Sequence, residues 1–143
     1  MSLVVQKYGG TSLGNAERIL NVAEIITNTV KLHQVVVVVS AMSSYTKAEG
    51  TTSRLLEAGD LAINGRPFFR VLDLIEQSHF KALEEAISDH LIMEEVKEYI
   101  YEELRSLKVF LEAIHVIHEI SPRSQDLIIG TGERLSARLL SGV

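Results

Sequence analysis

The segment Lys7-Tyr8-Gly9-Gly10-Thr11-Ser12 places a cation, two backbone positions without side chains and two hydroxyls in immediate succession. Each type has a use against an anion. Gly9 and Gly10 lack Cβ, so the backbone there can come close to a ligand and can adopt positive φ. Thr11 and Ser12 add hydroxyl donors, and Lys7 supplies a full charge. A helix beginning just after the loop would turn unpaired N–H groups and the positive end of its dipole back toward it. The combination suits a phosphate cradle; it also suits a plain turn with a solvated lysine. Two common nucleotide loops are excluded, because G-x-x-x-x-G-K-[ST] places its lysine after the glycines and G-x-G-x-x-G is absent.

Two further segments carry chemistry. "SAMSSYTKAEGTTSR" offers Ser40, Thr46 and Lys47, whose short hydroxyls and charge suit a polar substrate or phosphate oxygens. "GTGERLS" places Glu133 near a helix start, where its carboxylate would bind a substrate ammonium or complement the helix dipole. Arg134 and Arg138 form an i, i+4 pair of a solvated face, and Arg123 and Asp126 are spaced for a local ion pair. The histidines, His33, His79, His90, His115 and His118, form no metal-ligand or triad set. Glu84-Glu85, Glu94-Glu95 and Glu102-Glu103 read as solvated helix faces.

These residues need elements to hold them. Met1 to Gln6 and "HQVVVVVSAM" read as strands, the second so continuously β-branched that cover on both faces of a parallel sheet is expected. Ile19, Val22, Ala23, Ile26 and Val30 recur at helical spacing between them, with Asn15 as N-cap, which makes a βαβ unit. The loop after the second strand lies where open α/β sheets bind ligands. "TSRLLEAGDLAIN" predicts a helix closed at Asn64-Gly65. Apolar stripes over Phe68 to Ile87 and Met93 to His118 predict a helical hairpin, and Ser121-Pro122 opens a last helix that runs through Gly130 and Gly132. Two strands are few for a stable parallel sheet, so a portion of a larger domain is expected.

Bulk properties narrow the class. The 143 residues are 46% hydrophobic and 23% charged, with a formal net charge of −5. That balance argues against a nucleic-acid surface. Cysteine is absent, which removes disulfides and thiolate metal sites. The longest apolar run, Val35 to Val39, is far short of the roughly 20 residues of a membrane helix, and a cytoplasmic protein without a targeting segment is expected.

Taken together, "VVQKYGGTSLGNAERI", "VVVVVSAMSSYTKAEGTTSRLL" and "DLIIGTGERLSARLL" resemble, in order and spacing, the N-terminal part of the aspartokinases. The hydroxyl-rich second segment is closer to the fungal type. The resemblance implies an α/β fold, the three-layer α/β/α sandwich of the amino-acid kinases, present over residues 1–143 as an N-terminal, aspartate-binding portion without an ACT regulatory domain. It implies transfer of the ATP γ-phosphoryl group to the side-chain carboxylate of L-aspartate, the first step toward lysine, threonine and methionine. Lys7 would contact the transferring phosphoryl oxygens, with Gly9, Gly10, Thr11, Ser12 and Ser40 around the phosphates. Thr46 and Glu133 would hold aspartate. ATP is then the co-substrate, accompanied by Mg²⁺ for which no protein ligand is assigned, and the full-length enzyme is expected to be a homo-oligomer. An arginine and an aspartate of the family's active site lie in a later segment, so these 143 residues alone are expected to be inactive. Kinases of glutamate, acetylglutamate or nucleoside monophosphates share the lysine and paired glycines, and a catalytically silent assembly fragment is the alternative outside enzymes.

Overall fold

The computed structural model describes Met1 to Val143. Its elements are β1 (Leu3–Tyr8), α1 (Ala16–Val30), β2 (Gln34–Val39), α2 (Thr51–Ile63), α3 (Phe69–Ala86), α4 (His90–Ile117) and α5 (Pro122–Ser141), with short 3-10 turns at Gly10–Leu13 and Lys47–Glu49. β1 and β2 pair in parallel, Leu3 opposite Gln34 and Tyr8 opposite Val39. The class is α/β, with few strands and a helical hairpin of α3 and α4.

Helix ends follow from local chemistry. Asn15 Oδ1 accepts from the Arg18 amide at 3.0 Å and starts α1. Ser121 Oγ accepts from the Ser124 amide at 3.1 Å, with Pro122 in the first helical turn of α5. Asp89 Oδ1 accepts from the Leu91 and Ile92 amides, so α4 starts at His90, ahead of the Met93 that apolar spacing alone indicates. α2 closes at Asn64, and Gly65 takes the left-handed φ of 66° that glycine tolerates. His118, which ends α4 at φ 55°, is held in the same region without that tolerance; its Nδ1 lies 2.9 Å from the Ile63 carbonyl oxygen.

The core lies among the helices. Ile75 and Leu83 of α3, Ile100 and Leu111 of α4, and Leu135 and Leu139 of α5 are fully buried. Each such side chain stabilises by roughly 1.5–3 kcal/mol relative to exposure. Acidic pairs expected to be solvated instead bridge helices. Glu84 pairs with Lys97 at 3.0 Å, Glu103 with Arg134 at 2.8 Å and Glu95 with Arg138 at 3.7 Å, which ties α4 to α3 and α5. Arg134 and Arg138 are thus interhelical partners, while Arg123 and Asp126 form no ion pair.

His79 stands apart in this apolar setting. Its ring is fully buried, and Nδ1 donates to the Ile75 carbonyl at 2.7 Å. A carbonyl only accepts, so Nδ1 carries the proton and the buried, unpartnered Nε2 is the bare acceptor of a neutral imidazole. Burial lowers its pKa from 6.5 to about 4, against the Ile75 bond and with help from the Arg54 charge. The unfolded chain therefore binds a proton that the folded chain refuses between those values. Stability conferred by the neutral ring is complete above pH 6.5 and falls as pH drops toward 4, by about 3 kcal/mol in all. Urea unfolding at pH 7 and pH 4.5 should show a smaller acid loss in His79→Met than in the parent; equal losses would show that another group governs acid lability.

Candidate functional site at the carboxyl ends of the strands

Strand alternation decides which way the site residues face. Val4, Gln6 and Tyr8 of β1 and Val35, Val37 and Val39 of β2 are half-buried, while Leu3, Val5, Lys7, Gln34, Val36 and Val38 are exposed. Val37 and Val39 share a cleft with Ile26 of α1 and with Ala137 and Leu140 of α5, so those helices cover one face. On that face Tyr8 Oη donates to Gln6 Oε1 at 3.0 Å, Gln6 Nε2 to Thr29 Oγ1 at 2.8 Å, and Thr29 Oγ1 to the Ile25 carbonyl at 2.8 Å. Burial raises the Tyr8 phenol above its ordinary pKa. The other face is open, with Val5 64% and Val36 46% exposed. Cover on both faces, expected from the valine run, is thus not provided within these residues: α1 and α5 lie on one side only.

Lys7 belongs to the open face. It is the penultimate residue of β1, opposite Val38, rather than a residue beyond the strand's end at Gln6. Past Tyr8 the chain enters the 3-10 turn Gly10–Leu13, in which the Ser12 amide donates to the Gly9 carbonyl at 3.0 Å. This corrects the expectation that a helix follows the loop directly. By 3-10 geometry the amides of Gly10 and Thr11 are not used inside the turn, whereas α1 has its own cap at Asn15. Thr11 and Ser12 are exposed.

Three distant segments meet here. The Ser40 amide donates to the Tyr8 carbonyl at 3.1 Å and the Ser43 amide to the Gly10 carbonyl at 3.0 Å, which holds the loop after β2 against the loop after β1. A Cβ on Gly10 would stand 2.4 Å from the Ala41 carbonyl oxygen, so glycine is required for this approach. α5 closes the junction: Ser136 Oγ donates to the Ser40 carbonyl at 2.6 Å and lies 3.1 Å from the Glu133 carbonyl oxygen. One turn earlier, a Cβ on Gly132 would fall 2.9 Å from Ala41 Cβ and 3.0 Å from Thr51 Cγ2. Glu133 sits beside these contacts in the middle of α5 with an exposed side chain. Its carboxylate therefore does not complement the helix dipole, which acts within the first turn.

Not every candidate enters this junction. Thr46 is exposed; its amide and carbonyl are bonded to Ser44 Oγ at 3.1 and 2.8 Å just before the Lys47–Glu49 turn. Lys47 is exposed on that turn. Lys7 is exposed on the open face of the sheet and Glu133 is exposed on α5; neither lines any of the five principal cavities. No group of three or more His, Cys, Asp or Glu is arranged to hold a metal. Sequence reasoning missed Gly132, Ser136 and Thr51, which fasten the junction. The small residues of "GTGERLS" recurring at helical spacing were the available signal.

The geometry can be set beside known proteins. The profile of the amino acid kinase family matches residues 2–143. An aspartokinase of Candida albicans is 40% identical over 144 residues, covering 98% of this chain and 25% of that protein. One of Schizosaccharomyces pombe is 39% identical, covering 98% and 27%. The solved structure of Escherichia coli aspartokinase III with aspartate and ADP superposes with a TM-score of 0.77 at 26% identity, over 96% of this chain and 28% of that one. This chain thus spans about a quarter of the length of the relatives it matches. With its βαβ start, paired glycines and α5 junction all lying inside the matched range, the chain belongs to the amino acid kinase family.

Proposed function

We propose that this chain forms the aspartate- and phosphate-facing portion of an aspartate kinase, which transfers the γ-phosphoryl group of ATP to the side-chain carboxylate of L-aspartate and yields 4-phospho-L-aspartate. The observation that carries the reading is the junction itself. Gly10, Ser40 and the backbone of Glu133 are bonded into one unit at the carboxyl ends of parallel strands, where open α/β sheets bind their ligands. The fungal relatives named above are aspartokinases, and the Escherichia coli enzyme was solved with aspartate and ADP.

The chemistry asks little beyond alignment and charge. Phosphoryl transfer is accelerated mainly by holding acceptor and donor in line and by neutralising charge on the moving group. Lys7, on the open face, supplies the positive charge for the transferring oxygens. Gly9, Gly10, Thr11 and Ser12 offer amides and hydroxyls to the phosphates, and Ser40 joins them from the end of β2. Thr46 and Glu133 hold the substrate, the Glu133 carboxylate through the ammonium. A carboxylate acceptor is already ionised near neutral pH, so no general base is needed. Mg²⁺ would arrive on the nucleotide phosphates and neutralise part of their charge. ATP, L-aspartate and self-association of the whole enzyme complete the proposal.

Gly9 gives the reading a specific test. Its φ of −72° and ψ of 164° suit any residue, and a Cβ there would meet nothing within 4 Å, so the protein's own atoms do not demand glycine. Space kept clear for a phosphate does. Gly9→Ala should leave the urea midpoint unchanged but weaken ATP-dependent amide shifts, while Gly10→Ala, forced against the Ala41 carbonyl, should lose on the order of 1–3 kcal/mol of stability. Intact ATP response in a folded Gly9→Ala protein would remove the phosphate role. In a catalytically competent polypeptide carrying this segment, Lys7→Ala should lower kcat at least about a hundredfold with little change in the KM for aspartate. An unchanged kcat would remove Lys7 from the transfer step.

A further inference from the structure

A polar cavity lies beside this junction. It is lined by Gly14, Met42, Ser43, Ser44, Glu49, Thr51, Arg54 and Ser78, none of which is assigned above to phosphate or aspartate. Its volume of about 180 Å³ holds several waters. That is below the roughly 300–1,000 Å³ of sites for drug-sized ligands, so an occupant must be small.

Four features give the cavity a built polarity. Thr51 is 3% exposed, its methyl is the branch that faces Gly132, and its hydroxyl makes no hydrogen bond within the protein, which leaves that hydroxyl directed to the cavity. Thr51 also opens the 13-residue helix α2; its own amide is taken by the Met42 carbonyl at 3.0 Å, and the positive dipole end of the helix favours an anion. Arg54, one turn on, is half-buried; it donates one N–H to the Leu74 carbonyl at 3.1 Å, which fixes the guanidinium and leaves other donors free. Glu49 lines the same space, yet forms no ion pair with Arg54. A cation and an anion thus face one small cavity without neutralising each other.

We infer that this cavity binds a free α-amino acid, its carboxylate on Arg54, the Thr51 hydroxyl and the start of α2, and its ammonium on Glu49. Both charges of a zwitterion are matched, which neither a simple anion nor a simple cation would achieve. Its lining shares no residue with the proposed transfer centre, but the Ser43–Gly10 bond and the Ser44–Thr46 bonds join the two, so occupancy would bear on the phosphate and substrate loops.

The test is amide-shift mapping of the labelled 143-residue chain with each common amino acid and, separately, orthophosphate. At least one amino acid should give saturable shifts at Gly14, Ser43, Ser44 and Ser78. Glu49→Gln and Thr51→Val should weaken that binding, Glu49→Gln by about tenfold or more. Lys7→Ala and Glu133→Gln should leave it unchanged, which separates this site from the transfer centre even when the ligand is aspartate. Arg54→Gln should abolish it; if that variant does not fold, the Glu49 and Thr51 variants still decide. Absence of saturable shifts with every amino acid would overturn the inference. So would binding insensitive to Glu49→Gln and matched by orthophosphate, which marks a simple anion site, or shifts that vanish in Lys7→Ala or Glu133→Gln.

Discussion

A single short hydrogen bond, from the Ser136 hydroxyl to the Ser40 carbonyl at 2.6 Å, fixes where the last helix meets the second strand. The two residues are 96 apart in sequence, and everything between them is helix or loop that must return α5 to the sheet. The bond is largely buried, so losing the donor would leave a carbonyl without a partner, which costs more than the bond contributes when made. Gly132 makes the approach feasible, since its missing Cβ is the space that Ala41 and Thr51 occupy. Position of the Glu133 backbone then follows from its place between Gly132 and Ser136.

The sheet divides its labour between faces. One face is sealed by α1 and α5 and carries a hydrogen-bonded relay from Tyr8 through Gln6 to Thr29, which couples β1 to α1 without charge. The opposite face presents Val5, Val36 and Val38 around Lys7. A cation amid apolar surface keeps more of its field than one amid water, because nearby low-dielectric atoms screen less. The proposed role of Lys7, to meet charge brought to the strand ends, would draw on that setting.

Much of the architecture was legible in the sequence because it is written locally. Asn15, Asn64-Gly65 and Ser121-Pro122 each state a helix boundary in the residues that make it. Apolar spacing along α3 and α4 located the buried stripes. What stayed hidden was set by partners far along the chain. The valine run of β2 could not reveal that one face lacks a cover, since β-branched propensity is the same for either environment. Glu95 and Glu103 looked solvated until α5 supplied Arg138 and Arg134. At the candidate site, glycines and hydroxyls flagged segments that meet in the fold, but the contacts of Thr51 and Ser136 emerge only when α2 and α5 arrive at Ala41 and Ser40.

The histidines show how the fold and the proposed chemistry stay independent. His33 is tied to Ser2 Oγ at 2.8 Å, His118 to the Ile63 carbonyl, His79 to the Ile75 carbonyl, and His115 packs edge-on to Phe68. Each is placed by structure, and none stands at the carboxyl ends of the strands. A transfer to a carboxylate needs no proton removed from the acceptor, so a site built from a lysine, amides and hydroxyls has no use for an imidazole. The buried ring of His79 takes up its proton only when the α3 packing opens, so its share of acid lability belongs to that packing rather than to the site.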